Sequence, residues 1–127
     1  MKIRCGTDII EISRIKESIE NSDKKFINKV FTDEEIKFCE SKGKQKYQHY
    51  AARFAAKEAT FKAISEELKN KYDLCWKDYE VISDGNGKPH INILGLNEKN
   101  IEDIDLSLSH CKDYAVANVV VVYKPEV

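Results

Sequence analysis

Three charged side chains stand where sequence context argues against charge, and together they suit phosphate chemistry. Glu58 and Lys62 lie four residues apart in an alanine-rich helical stretch, residues 51–65. On a wheel of about 100° per residue, Ala51, Ala52, Ala55, Ala56, Ala59 and Ala63 share one broad side. Phe54 and Phe61 extend that side, and an apolar arc this wide predicts a largely buried helix. The wheel sets Glu58 and Lys62 inside the arc and Arg53, Lys57 and Thr60 on the opposite, solvent-like side. A charge on a core-facing stripe must be paired or must hold a ligand, because an isolated buried ion is very unfavourable.

Asp8 interrupts the β-prone run Gly6-Thr7-Asp8-Ile9-Ile10, although Asp is depleted from strands. Gly6 permits close approach of a ligand or a second backbone. A strand Asp and a helix Glu can offer two carboxylate oxygens to one cation. Magnesium takes few carboxylates and fills its other positions with water and substrate phosphate. Lys62, one turn beyond Glu58, would reach the same phosphates as a point charge. His110, closing Ser107-Leu108-Ser109-His110, could touch a phosphate or move a proton near neutral pH. The bland alternatives are a self-satisfied Glu58–Lys62 pair, worth about 0.2–0.5 kcal/mol when exposed, and solvated side chains at His49, His90 and His110.

The elements that must position these groups follow from periodicity and punctuation. Residues 2–12 read as a strand, and Ser13 as the cap of a helix carrying Ile15 and Ile19. Residues 21–25 break it, and Phe26, Ile27 and Val30 resume helical spacing. Thr32 with Glu35 forms a capping box, flanked by Phe31 and Ile36 at staple positions; that helix should end near Gly43. A long helix is expected over residues 45–68. Residues 76–83 and 88–94 read as strands joined by the turn Asp84-Gly85-Asn86-Gly87, and residues 105–109 and 114–123 as two more. Strand, helices, then strands is an α+β pattern with a mostly antiparallel sheet around a long Ala-rich central helix.

The 127 residues carry 21 Lys and Arg against 22 Asp and Glu, which predicts one domain over residues 1–127 and speaks against a nucleic-acid-coating polycation. The longest apolar run, residues 119–123, is far too short to span a membrane, and no apolar signal core follows Met1. A soluble, cytoplasmic protein is therefore expected. The four cysteines lack zinc-site spacing and are expected as reduced thiols, most of them buried or half-buried. Between residues 37 and 57, six basic side chains stand against Glu40 alone. Such a segment suits a phosphate-bearing ligand or an acidic partner, or is simply a solvated lysine-rich loop.

Taken together, the sequence resembles the holo-[acyl-carrier-protein] synthase family, the small single-domain phosphopantetheinyl transferases. The resemblance rests on Gly6-Thr7-Asp8-Ile9-Ile10-Glu11-Ile12 with Arg14-Ile15, on Phe31-Thr32-Asp33-Glu34-Glu35, and on Arg53-Phe54-Ala55-Ala56-Lys57-Glu58-Ala59 with Lys62-Ala63. Trp76-Lys77-Asp78-Tyr79-Glu80-Val81, Gly87-Lys88-Pro89 and Ser107-Leu108-Ser109-His110 continue it in the family's order over nearly the whole chain. It implies transfer of the 4′-phosphopantetheine arm of coenzyme A to a serine of apo acyl carrier protein, with release of adenosine 3′,5′-bisphosphate. It also implies Mg²⁺ on Asp8 and Glu58, and a homotrimer with sites between protomers.

By the same resemblance, Glu58, Lys62 and His110 are the catalytic candidates, and Arg53, Lys62, Lys88, Pro89, Ser109 and His110 would hold coenzyme A. Arg14, Lys16, Lys24 and Lys25 would meet the acidic carrier protein. The base that takes the serine proton stays open among Glu58, His110 and a metal-bound water. Ser65 stands where the family often has Gly, so the central helix is expected to run on through residues 66–71, and Cys111 replaces a usual Thr or acidic residue. The competing reading is a non-catalytic coenzyme A- or nucleotide-binding module.

Overall fold

The computed structural model describes residues 1–68, 75–94 and 100–125. Its element order is β1 (Lys2–Glu11), α1 (Ile12–Glu20), α2 (Lys25–Val30), α3 (Asp33–Glu40), α4 (Lys46–Ile64), β2 (Tyr79–Ser83), β3 (Pro89–Ile93), β4 (Ile101–His110) and β5 (Tyr114–Tyr123). The two sheets are antiparallel, one ordered β1-β5-β4 and the other the β2-β3 hairpin. The α+β expectation holds.

Most boundaries sit close to those the sequence predicts, and the departures have local causes. Helix α1 starts at Ile12 behind Glu11, with no side-chain cap, so Ser13 is already inside it. Asp23 and Lys24 take left-handed backbone, φ 50° and 69°, and turn the chain between α1 and α2. Thr32 Oγ1 accepts from the Glu35 amide and Glu35 returns the bond to the Thr32 amide, completing the capping box. Helix α3 stops at Glu40, and α4 gives way to a 3₁₀ turn at Ser65–Glu67, so the expected extension through residues 66–71 does not occur up to Leu68. Residues 69–71 of that extension lie outside the described residues. Residues 76–78 form a 3₁₀ turn rather than strand, and β4 begins at Ile101, before the expected position 105. An irregularity between Ile101 and Asp103 masks its alternation.

Helix α4 packs across one face of the three-stranded sheet. The sheet sends Ala117, Val119 and Val121 inward to meet Ala55, Ala56, Ala59 and Ala63, and Ala115 inward to the cluster of Ala51 and Ala52, all buried. Two small-residue surfaces bring the backbones close, and Gly6 takes this furthest. A Cβ built on Gly6 would lie 1.9 Å from the Ala59 carbonyl oxygen, so only glycine lets β1 cross the helix here. Among the described residues no layer covers the opposite sheet face. Ile3 is 54%, Ile9 63%, Val120 42% and Tyr114 46% exposed on it, where a solvated antiparallel face would alternate to polar residues. Of the cysteines, which are all free, Cys39 is buried but Cys5, Cys75 and Cys111 are exposed, against the sequence expectation. The last three stand on outward or turn positions that periodicity did not resolve.

Candidate active site

The burial of α4 is inverted with respect to the wheel. Its alanine side packs on the sheet as expected, but Arg53 (3%), Lys57 (0%) and Thr60 (0%) are buried too. Glu58 is half-buried and Lys62 exposed. Periodicity gave the apolar arc correctly but could not show that α3 and β2 cover the polar side. The flank left open is the one carrying Phe54, Glu58, Phe61 and Lys62.

That open flank is where Asp8 arrives. The close crossing at Gly6 sets β1 beside α4, and Lys62 Nζ donates to Asp8 Oδ1 at 3.2 Å and to the Thr7 carbonyl at 3.0 Å. The self-satisfied Glu58–Lys62 pair is therefore replaced by a Lys62–Asp8 pair. Burial, then the charge of Asp8, raise the Glu58 carboxyl above its ordinary value, while Lys62 acts in the opposite sense. Two carboxylates so close that one disfavours ionisation of the other form a donor set that a hard divalent cation relieves. Among the described residues no cluster of three or more His, Cys, Asp or Glu exists that could hold a metal ion. A metal at Asp8 and Glu58 would thus take its remaining ligands from water and substrate, and the residues fit such a group.

A second constellation lies on the other flank of α4. Arg53, Lys88, Pro89 and His110 line one cavity of about 380 Å³, together with Phe38, His49, Ser83 and Ser107. Ser109 does not line it and is exposed. The Arg53 guanidinium lies 3.9 Å from the Phe38 ring centroid and donates to Ser83 Oγ at 3.3 Å. Among the described residues its Nε has no partner. Lys88 and Pro89 are presented by a hairpin tip that Asp84 organises. Asp84 Oδ1 accepts from the Asn86 amide at 2.8 Å and the Lys88 amide at 3.0 Å, and Oδ2 meets His90 Nε2 at 2.9 Å. His90 is thus a loop strut, and its hydrogen bond, followed by those two amides, holds the Asp84 carboxyl below its ordinary range. Gly87, at φ +82°, makes that tip possible.

Sequence reasoning missed two groups. His49 lines the cavity one turn before Arg53, a spacing of four residues that could have flagged it. Glu35, predicted only as a capping residue, is 1% exposed and is the counter-ion of buried Lys57. The proposed carrier-protein contacts Arg14, Lys16, Lys24 and Lys25 are all exposed on α1 and at the start of α2. Ile12 and Ile15 anchor α1 from its buried side.

No helix among the described residues is long and apolar enough to cross a membrane. The family described as the 4′-phosphopantetheinyl transferase superfamily matches residues 4–119. A holo-[acyl-carrier-protein] synthase of Ruminiclostridium cellulolyticum is 44% identical over 126 residues, 95% of this chain and 92% of that protein. The solved holo-(acyl-carrier-protein) synthase of Bacillus anthracis in complex with CoA (3′,5′-ADP) is 33% identical, with a TM-score of 0.73 over 93% of this chain and 94% of that one. The Helicobacter pylori holo-[acyl-carrier-protein] synthase in complex with coenzyme A is 29% identical, with a TM-score of 0.80 over 93% and 99%. The chain belongs to the 4′-phosphopantetheinyl transferase superfamily, and within it to the holo-[acyl-carrier-protein] synthase family. It is a transferase by fold and by sequence together.

Proposed function

We infer that the chain moves the 4′-phosphopantetheine arm of coenzyme A onto a serine of apo acyl carrier protein, releasing adenosine 3′,5′-bisphosphate. The observation that carries this reading is the meeting of Asp8, Glu58 and Lys62 on the open flank of α4, in a chain whose solved relatives hold coenzyme A.

Asp8 and Glu58 would hold Mg²⁺. Bound there, the ion would offset charge developing on the adenosine 3′,5′-bisphosphate that leaves as the pyrophosphate linkage breaks. Lys62 pairs with Asp8 while no phosphate is present and supplies a mobile point charge to one that arrives. Phosphoryl transfer asks mainly for positioning and electrostatic stabilisation. The cationic cavity of Arg53, Lys88 and His110 meets that need at the nucleotide end, and its hairpin tip keeps Gly87-Lys88-Pro89 in place. Exposed Arg14, Lys16, Lys24 and Lys25, interleaved with exposed Glu17, Glu20 and Asp23, would offer the acidic carrier protein its basic contacts on a mixed face. Steering of this kind raises association rates and weakens with salt.

The apolar outer sheet face supports self-association as a homotrimer. Ile3, Ile9, Val120 and Tyr114 would be covered by neighbouring copies, and a copy placed there can complete a site that one small chain encloses only in part. The reading fits a cytoplasmic enzyme of fatty acid biosynthesis, where exposed Cys5, Cys75 and Cys111 stay reduced.

Incubation with coenzyme A, MgCl₂ and apo carrier protein, followed by intact mass, tests the activity. A phosphopantetheine adduct on the carrier is expected, and Glu58→Gln should abolish it while leaving the fold intact. A folded protein that binds coenzyme A but modifies no member of a panel of carriers would establish the non-catalytic binding module instead. Light scattering after size exclusion reads the trimer directly.

A further inference from the structure

The cationic cavity contains one histidine to which neither the family motifs nor the transfer chemistry assigns a role. His49 lies on α4 one turn before Arg53 and lines the cavity with Arg53, Lys88 and His110. Its ring meets His110 edge-on, centroids 5.8 Å apart at 65°, and Phe38 at 5.6 Å and 78°. Among the described residues neither ring nitrogen has a hydrogen-bond partner. A half-buried imidazole with both nitrogens unspent, beside a cavity, is free to bind what enters.

The groups that act electrostatically on His49 all disfavour its charged form: Arg53 on its own helix, Lys42 just beyond α3 and His110 on β4. Among the described residues no Asp or Glu lines the cavity, and four carboxylates on the surrounding elements are paired. Glu35 is taken by Lys57, Glu40 by Tyr50 and Lys46, Asp105 by Lys88 at 3.5 Å and Asp84 by His90. Cys39, whose thiol burial pushes up to about 12, adds no charge. Burial first, then Arg53, Lys42 and His110, hold His49 down at about 4, so in the empty cavity it is a neutral ring at physiological pH.

We propose that His49 is an anion-binding residue of the coenzyme A pocket that takes up a proton from solvent as a phosphate monoester enters. The inference rests on the coenzyme A reading above. A phosphate dianion set against the ring reverses the local field that keeps it neutral, and an opposite charge within about 4–6 Å favours the charged form. The protonated ring then donates a charge-assisted hydrogen bond, roughly twice as strong as a neutral one. Binding of the nucleotide end is thereby coupled to pH, weakening as pH rises.

Isothermal titration with adenosine 3′,5′-bisphosphate, in two buffers of different ionisation enthalpy, reads the protons taken up. At pH 6.5 the wild-type protein should show net uptake, and His49→Gln less uptake with affinity about fivefold to tenfold weaker. The two affinities should converge by pH 8.5. Equal uptake in both proteins overturns the role of His49 and leaves the coenzyme A reading standing. Failure of the wild type to bind the bisphosphate overturns both. The ring Cε1 proton of His49, followed by NMR in the wild type, gives a check that needs no variant. It should move from its neutral to its cationic position as bisphosphate is added at pH 6.5, and a stationary signal in the bound protein overturns the proposal.

Discussion

Lys57 Nζ lies 2.8 Å from Glu35 Oε1, with neither side chain exposed to solvent. Lys57 also donates to the Trp76 and Tyr79 carbonyls. Glu35 accepts from the Thr32 amide at 2.9 Å and the Val81 amide at 2.9 Å. One ion pair therefore ties the start of α3, the middle of α4 and the start of β2 together, one residue away from Glu58. Burial lowers Lys57's affinity for its proton, and Glu35 acts against that loss. Lys57→Met leaves a buried carboxylate and two carbonyls unmatched, and should destabilise the protein by about 3–5 kcal/mol. The double change Glu35→Leu/Lys57→Met removes both charges but still orphans the Thr32 and Val81 amides. It should recover only part of the loss, because unsatisfied buried donors carry their own penalty. Urea midpoints of the single and double variants measure both effects; an unchanged midpoint for Lys57→Met would refute the network.

Gly6 sets the distance on which the candidate metal pair depends. Alanine there would place its Cβ 1.9 Å from the Ala59 carbonyl oxygen, with the Ala63 amide nitrogen at 3.1 Å. Both are helix backbone and cannot rotate aside, so β1 must retreat from α4. Gly6→Ala should cost at least about 1–3 kcal/mol, as other overpacked contacts do. Transfer should fall more than stability does, since Asp8 moves away from Glu58 with the strand. Thermal melting set beside turnover by the same preparation separates the two; full turnover in a destabilised variant would count against the Asp8–Glu58 pairing.

A divalent cation held by Asp8, as proposed above, would compete with Lys62 for that carboxylate. The 3.2 Å ion pair is solvent-facing, with the Lys62 side chain 52% exposed. An exposed pair is worth about 0.2–1 kcal/mol. Lys62→Ala should therefore bind Mn²⁺ somewhat more tightly, by up to roughly fivefold, while transferring phosphopantetheine more slowly for want of the phosphate contact. Water-proton relaxation titration reads the affinity. Weaker Mn²⁺ binding in Lys62→Ala would show that the lysine supports the site rather than competing for it.

What was legible in the chain, and what was not, divides along one physical line. Local codes carried through: the Thr32–Glu35 box, the alanine face of α4 and the turn at residues 84–87 each depend on neighbours in sequence. The side of α4 that meets solvent depends on which other elements pack against it, and that information is spread across α3, β2 and β5. Hence Lys57 and Arg53 read as exposed while Glu58 and Lys62 read as buried. Asp8 and Glu58 stand out in the sequence as carboxylates in apolar patterns, and the fold sets Asp8 close enough to raise the Glu58 carboxyl above its ordinary value. His49 was lost for the converse reason. The four-residue spacing puts His49 on the same face of α4 as Arg53, but the cavity around them is built by β4 and the hairpin, far away in sequence.

Acid should loosen this protein through His49. Its folded-state value of about 4 lies below the ordinary 6.5, so between those limits the unfolded chain binds a proton that the native chain refuses. Stability then rises with pH across this window and is lost as pH falls through it. The ring is only partly sheltered, so the effect is smaller than for a fully buried group. His49→Phe cannot take the proton in either state and keeps the contact with Phe38. It should flatten the fall in melting temperature between pH 6.5 and pH 4 relative to wild type, with the two curves parallel above pH 7. Parallel curves throughout would place the acid sensitivity in the carboxylates instead.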